Sequence, residues 1–190
     1  MTRSTHVVAV PGSLRETSKT RASVRAALDA AEAEGASIDL LDLREIDLPL
    51  YDADHKDAGD APEMRRRIRE ADAVVLGTPV YHHSYASPLK TVLDYCGFDE
   101  FDDALVGVLA VAGGGAGGFP TEALSHLRGS VLGLRAWLYP RQVVIPNAGQ
   151  KVADGELTDP ELADRVAEFG ANLARHAGKE PSPEAYATPI

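Results

Sequence analysis

The stretch Val7-Val8-Ala9-Val10-Pro11-Gly12-Ser13-Leu14-Arg15-Glu16-Thr17-Ser18 decides how this chain is read. It begins as a continuous apolar run of strand length and breaks at Pro11-Gly12 into a turn rich in hydroxyls. A helical pattern follows, with Val24, Ala27, Leu28 and Ala31 at i, i+3, i+4 and i+7. A buried strand that turns straight into a helix aims backbone N–H groups, with partial positive charge, at one point. Ser13, Ser18 and Thr20 add hydroxyl donors and Arg15 adds a forked cation, so the turn suits a phosphate. An ordinary strand-to-helix turn with a capping serine has the same local features, and the neighbouring segments must decide between the two. The dinucleotide fingerprint needs three glycines at set positions, and only Gly12 is present. The Gly-Lys-Ser/Thr ending of a triphosphate loop is absent. A cradle of hydroxyls matches one terminal phosphate better than a pyrophosphate.

Working outward, strand and helix patterns alternate along the chain. Residues 7–10, 38–43, 73–76, 105–111 and 143–145 are short, mainly apolar runs, interrupted in the second by Asp39 and Asp42, which suits parallel strands covered on both faces. Between them lie helical stripes: Met64, Ile68 and Ala71; Leu89, Val92, Leu93 and Cys96; Leu124, Leu127, Val131 and Leu134; Leu162, Val166, Phe169 and Leu173. Five strands, each followed by a helix, predict an α/β fold. It is a flavodoxin-like three-layer sandwich with a five-stranded parallel sheet in the order 2-1-3-4-5. Right-handed crossovers place helices on both faces. Residues 1–180 are expected to form one domain, with 181–190 an irregular tail. The polar connection at 46–62 holds Pro49, Tyr51 and several aspartates, and connections of such length in a compact domain are commonly functional. Trp137 and Tyr139 are read as core.

Composition narrows the function. With 190 residues, 44% hydrophobic, the chain is long enough for a full core. The net charge of −10 argues against a nucleic-acid surface, which needs a basic face to displace counterions. The one basic cluster, Arg65-Arg66-Arg67 with Arg69, lies beside Glu63 and Glu70 on a helical pattern and reads as a solvated face. A single cysteine, Cys96, allows no internal disulfide and fits a cytoplasmic setting. The first apolar run is too short for a secretory signal or a membrane span.

In a sheet of this order ligands bind beyond the carboxyl ends of the strands, where the order reverses. Unusual residues are therefore expected after the first, third and fourth strands. After the third comes Gly77-Thr78-Pro79-Val80-Tyr81-His82-His83-Ser84-Tyr85, an aromatic and imidazole platform for a flat heterocycle. Ser84 is expected to open the next helix. A metal pair at His82-His83 is disfavoured, because adjacent side chains diverge and no nearby carboxylate or cysteine completes a set. After the fourth strand comes Gly113-Gly114-Gly115-Ala116-Gly117-Gly118, backbone that can approach a ring closely. One segment suits a phosphate, one a flat ring and one a close backbone wall. Together they describe a mononucleotide with a large heterocycle, and FMN fits better than NAD.

At these residues the chain resembles the NADPH-dependent FMN reductase family, which also holds flavin-dependent quinone, azo-dye and chromate reductases. The matching elements are Gly12-Ser13-Leu14-Arg15-x-x-Ser18, Leu48-Pro49-Leu50-Tyr51-Asp52, Thr78-Pro79-Val80-Tyr81-x-x-Ser84 with Leu89-Lys90, and the glycine run. The resemblance implies that Ser13, Arg15, Ser18 and Thr20 hold the FMN phosphate. It implies that Pro79, Val80, Tyr81 and His82 border the isoalloxazine and ribityl chain, that Ser84 lies beside the flavin, and that Gly113, Gly114 and Gly115 line the ring's other edge. It departs at Thr20, where the family commonly has Asn, and at His83, where it has Gly or a small residue. The activity implied is NAD(P)H-dependent flavin oxidoreduction: hydride passes from NADPH to FMN and on to a small-molecule acceptor such as free flavin or a quinone. A homodimer or homotetramer is implied too, and no catalytic acid or base is singled out. A non-enzymatic FMN-binding carrier or sensor of flavodoxin type remains the alternative. A cysteine-dependent phosphatase is excluded, since Cys96 lies on a helical stripe and Asp102, not arginine, stands six residues on.

Overall fold

The computed structural model describes residues 4–114 and 119–177. Its elements are β1 (His6–Pro11), α1 (Lys19–Ala33), β2 (Ser37–Leu40), α2 (Ala61–Arg69), β3 (Ala73–Tyr81), β4 (Ser84–Tyr85), α3 (Ser87–Tyr95), α4 (Phe98–Phe101), β5 (Leu105–Val111), α5 (Phe119–Gly133), β6 (Trp137–Leu138), β7 (Val143–Ile145), α6 (Ala148–Lys151), β8 (Val152–Ala153), β9 (Glu156–Leu157) and α7 (Pro160–His176).

Alternation along the strands sends successive side chains to opposite faces. Val8 and Val10 join Val74, Leu76, Val106 and Val108 in one core; Val7 and Ala9 join Ala73, Val75 and Leu109 in the other. The helical stripes close both cores. Met64 and Ile68 of α2, Leu89 and Val92 of α3, and Leu124, Leu127 and Val131 of α5 cover the first. Val24, Ala27 and Leu28 of α1 with Leu162, Val166, Phe169 and Leu173 of α7 cover the second. The three layers are those expected.

The sheet runs β2-β1-β3-β5-β6 through parallel pairs, with β7 also parallel to β5. This is the flavodoxin-like order 2-1-3-4-5, but the sheet has seven strands rather than five. The fifth position is split. β6 pairs with the start of β5 at Leu105↔Trp137, and β7 pairs with its end at Val111↔Ile145. The further strand, β4, is a two-residue antiparallel addition to β3. β2 ends at Leu40 rather than at 43, although the Leu41 N–H still donates to the Ala9 carbonyl at 2.9 Å. α4, α6 and the β8–β9 hairpin are too short to show a period. Trp137 is a correction: it is 40% exposed and its Nε1–H donates to Asp103 Oδ1 at 3.3 Å, because β6 is the sheet's edge, whereas Tyr139 is core. Cys96 is buried 3.9 Å from Met64 Sδ, and burial pushes its thiol well above the usual range. The expected basic face is ion-paired: Arg66 with Glu63 and Glu70, Arg67 with Asp39, Arg69 with Glu100. The tail at 181–190 lies outside the described residues.

α1 and α7 meet backbone to backbone at Gly170, where a Cβ would stand 1.9 Å from the Ala27 carbonyl oxygen. Gly170→Ala is expected to lower stability by about 1–3 kcal/mol, read as a reduced denaturant midpoint at constant slope. An unchanged midpoint would show that the two helices part freely.

Candidate functional site

The strand order reverses between β1 and β3, and their carboxyl ends are tied directly. The Gly12 N–H donates to the Gly77 carbonyl at 2.7 Å. A Cβ on Gly12 would lie 2.8 Å from Leu89 Cβ, so only glycine fits there. From this anchor residues 13–18 lead into α1. Ser18 is the N-cap, its Oγ accepting the Arg21 N–H at 3.1 Å. Ser13, 4% exposed, places its Oγ 3.4 Å from the Arg15 nitrogen. The N–H groups of Ser13, Leu14, Glu16 and Thr17 donate to no acceptor among the described residues. Of these four residues Ser13 is buried, while Leu14, Glu16 and Thr17 are exposed, so their donors stand open to an anion just ahead of the helix. Arg15 is exposed and its guanidinium bonds to no described residue. Thr20 is buried on α1 with its methyl turned toward Gly77.

Sequence reasoning missed the brace behind this turn. Arg21 Nη1 lies 3.2 Å from Asp42 Oδ2, its Nη2 donates to the Glu16 carbonyl, and Asp42 is buried. A first-turn arginine and an aspartate after β2 are the only signals, and nothing local links them. A hollow of about 820 Å³ borders the same turn but is lined by α1, residues 40–45 and the β8–β9 hairpin rather than by the ends of β3 and β5.

β3 runs further than the apolar pattern indicates, through Tyr81, with Thr78↔Ala110 and Pro79↔Val111 in register with β5. Beyond that register the chain forms a hairpin, pairing Val80↔Tyr85 and Tyr81↔Ser84. His82 (φ 49) and His83 (φ 64) make its turn, both left-handed. Such two-residue turns normally take Asn-Gly, and a side chain in this region costs about 1–2 kcal/mol per residue. Thr78, fully buried, accepts the Ala86 N–H at 2.9 Å and donates to the Pro79 carbonyl at 2.8 Å, so it fixes the hairpin's base. Val80 is partly covered, while Tyr81 is half exposed and His82 exposed. Ser84 does not open α3, whose N-cap is Ala86; its Oγ lies 3.0 Å from His126 Nδ1 on α5.

Gly113 and Gly114 close the group. A Cβ on either would meet none of the described residues within 4 Å. They are not a loose linker: the Gly114 carbonyl accepts the Asn147 N–H at 3.2 Å, and the Ala112 N–H donates to the Ile145 carbonyl at 2.9 Å. Gly115 lies outside the described residues. The unpaired amides fit a phosphomonoester, and the bare glycine backbone fits a flat ring.

The sheet order, with a turn into a helix straight after the first strand, defines a flavodoxin-like α/β protein. Its residues 5–150 match the model of NADPH-dependent FMN reductase, and the chain belongs to that family. It is similar to an NADPH azoreductase of Bacillus sp. (strain OY1-2), at 36% identity over 173 residues, covering 88% of this chain and 92% of that one. It is also similar to a probable NADPH:quinone oxidoreductase of Oryza sativa subsp. japonica, at 30% identity over 171 residues, covering 84% and 85%. An oxidoreductase structure from Corynebacterium diphtheriae shares the fold with a TM-score of 0.72 at 21% identity, over 95% of this chain and 100% of that one. The chain is an NADPH- and FMN-dependent oxidoreductase.

Two substitutions test the site. Arg15→Ala should weaken FMN binding by a factor corresponding to about 1.5–3 kcal/mol, the worth of a charge-assisted contact, with no change in the melting of the apo-protein. Gly114→Val should leave the apo-protein's melting unaltered, since its side chain meets no described residue within 4 Å, yet abolish stoichiometric FMN binding. Unchanged affinity in a flavin fluorescence titration would remove that residue from the site.

Proposed function

We propose that this protein holds FMN across the ends of β1, β3 and β5 and uses it to reduce a small-molecule acceptor at the expense of NADPH. The free amides of the β1–α1 turn, with Ser13, Arg15, Ser18 and Thr20, take the phosphate. Pro79, Val80, Tyr81 and His82, with Ser84 at the hairpin's far strand, border the ring and ribityl chain. Gly113 and Gly114 form the opposite wall. FMN supplies the hydride relay; the protein holds it, shapes access and keeps competing groups away. No ionisable side chain is assigned a catalytic proton, and Cys96, buried with a raised thiol, takes no part. The single observation that carries this reading is the run of unpartnered N–H groups leading into α1.

The names of the two curated relatives support a quinone or azo compound as the acceptor class. A homodimer or homotetramer is supported by an apolar cleft of about 200 Å³ between Leu14, Leu43, Leu48, Leu50, Pro88 and Thr91, with Leu50 81% exposed. A cytoplasmic setting is supported by the single, buried cysteine. No helix among the described residues is long and apolar enough to cross a membrane.

The FMN-loaded protein should lose its visible flavin band when NADPH is added without oxygen and regain it when a quinone is admitted. A flavin band that persists under excess NADPH would leave a carrier or sensor instead of a reductase.

A further inference from the structure

We infer that a polar stripe on α5, formed by Glu122, His126 and Ser130, is a latch that positions the β3–β4 hairpin and so sets how large a planar acceptor can reach the flavin ring. This rests on the flavin reading above. The three residues follow at four-residue intervals and share one helix face. They meet three consecutive residues of the hairpin. His83 Nδ1 pairs with the Glu122 carboxylate, Ser84 Oγ lies 3.0 Å from His126 Nδ1, and Tyr85 OH lies 3.0 Å from Ser130 Oγ. The Phe119 ring backs the turn, its centroid 4.1 Å from that of His83.

The placement matters because α5, which begins at Phe119, is the next described element after Gly113 and Gly114. This helix grips the wall that carries Val80, Tyr81 and His82. With only two residue pairs in its own ladder, the hairpin depends on α5 for its orientation. Global stability is a poor explanation for these contacts. The His83 and Glu122 side chains are 51% and 55% exposed, and pairs so open to water contribute little to folding. The turn also places imidazoles at φ 49 and 64, where glycine would sit without strain. Histidine at position 83 gains a partner on α5 that glycine could not have. Glu122, His126 and Ser130 are positioning residues, acting through the hairpin.

The test compares wild type with Glu122→Ala, Glu122→Gln, His83→Gly and the double variant E122A/H83G, all loaded with FMN. His83→Gly keeps the turn's backbone and removes the imidazole, so folding is preserved. Steady-state constants are measured with benzoquinone and with an anthraquinone sulfonate, together with the visible circular dichroism of bound FMN. The expected result is that Glu122→Ala and His83→Gly each lower the KM for the anthraquinone relative to benzoquinone by about fivefold or more, with kcat moving much less. The visible dichroism changes in the same two variants, Glu122→Gln stays close to wild type, and the double variant goes no further than the singles. A KM ratio and dichroism that match wild type in both single variants, or effects that simply add, would overturn the latch. A wild type that binds no FMN defeats the flavin reading and the latch's role with it. A wild type that binds FMN, with unmoved variants, defeats the latch alone.

Discussion

The amide of Gly12 donates to the carbonyl of Gly77 at 2.7 Å, and the working end of the molecule is arranged around that bond. It joins the carboxyl ends of β1 and β3, so the turn that gathers free amides stands beside the strand that continues into the aromatic hairpin. Neither residue can carry a side chain. A Cβ on Gly12 would strike Leu89, and one on Gly77 would stand 2.4 Å from Val24 Cγ1. The packing of α1 and α3 on opposite faces of the sheet thereby fixes the spacing of two loops that share no sequence signal. Pairing of β3 with β5 then brings in the glycine segment, which β7 braces through Asn147.

A chain with net charge −10 that binds an anionic cofactor must win by local geometry. At physiological salt the Debye length is about 8 Å, so scattered surface carboxylates act weakly on a phosphate held by amides at bonding distance. In the proposed site the contacts that would decide binding are short, charge-assisted and preorganised. Arg21 supports them indirectly, because its bond to the Glu16 carbonyl and its pair with buried Asp42 hold the turn in shape before any ligand arrives.

The parts of this design that were legible in the sequence are those with a local cause. Val7 to Val10 announces its strand as a short continuous apolar run and the α1, α5 and α7 stripes announce their helices through period, and the strand order followed from their alternation and the early phosphate-type turn. Ser13 and Ser18 could be named because hydroxyls at a helix start act within a few residues. What stayed hidden depends on distant partners. The extension of β3 through Tyr81 reads as a turn, since Gly77, Thr78 and Pro79 are turn formers, and only register with Ala110 and Val111 keeps it straight. β4 and β6, two residues each, are too short for any period. His82-His83 carries no hairpin signature, because the left-handed turn usually advertises itself by Asn-Gly. Trp137 has the composition of a core residue, and only its place on the edge strand exposes it.

The central claim is that the free amides of Ser13, Leu14, Glu16 and Thr17 grasp the phosphate of FMN. Its most direct test is the amide spectrum of isotope-labelled protein titrated in parallel with FMN and with riboflavin, which lacks the phosphate. The expected result is that FMN moves the amide signals of Ser13, Leu14, Glu16 and Thr17 more than any others, while riboflavin leaves them in place and binds far more weakly. Equal affinity for the two ligands, or FMN binding with those four signals unmoved, would contradict it.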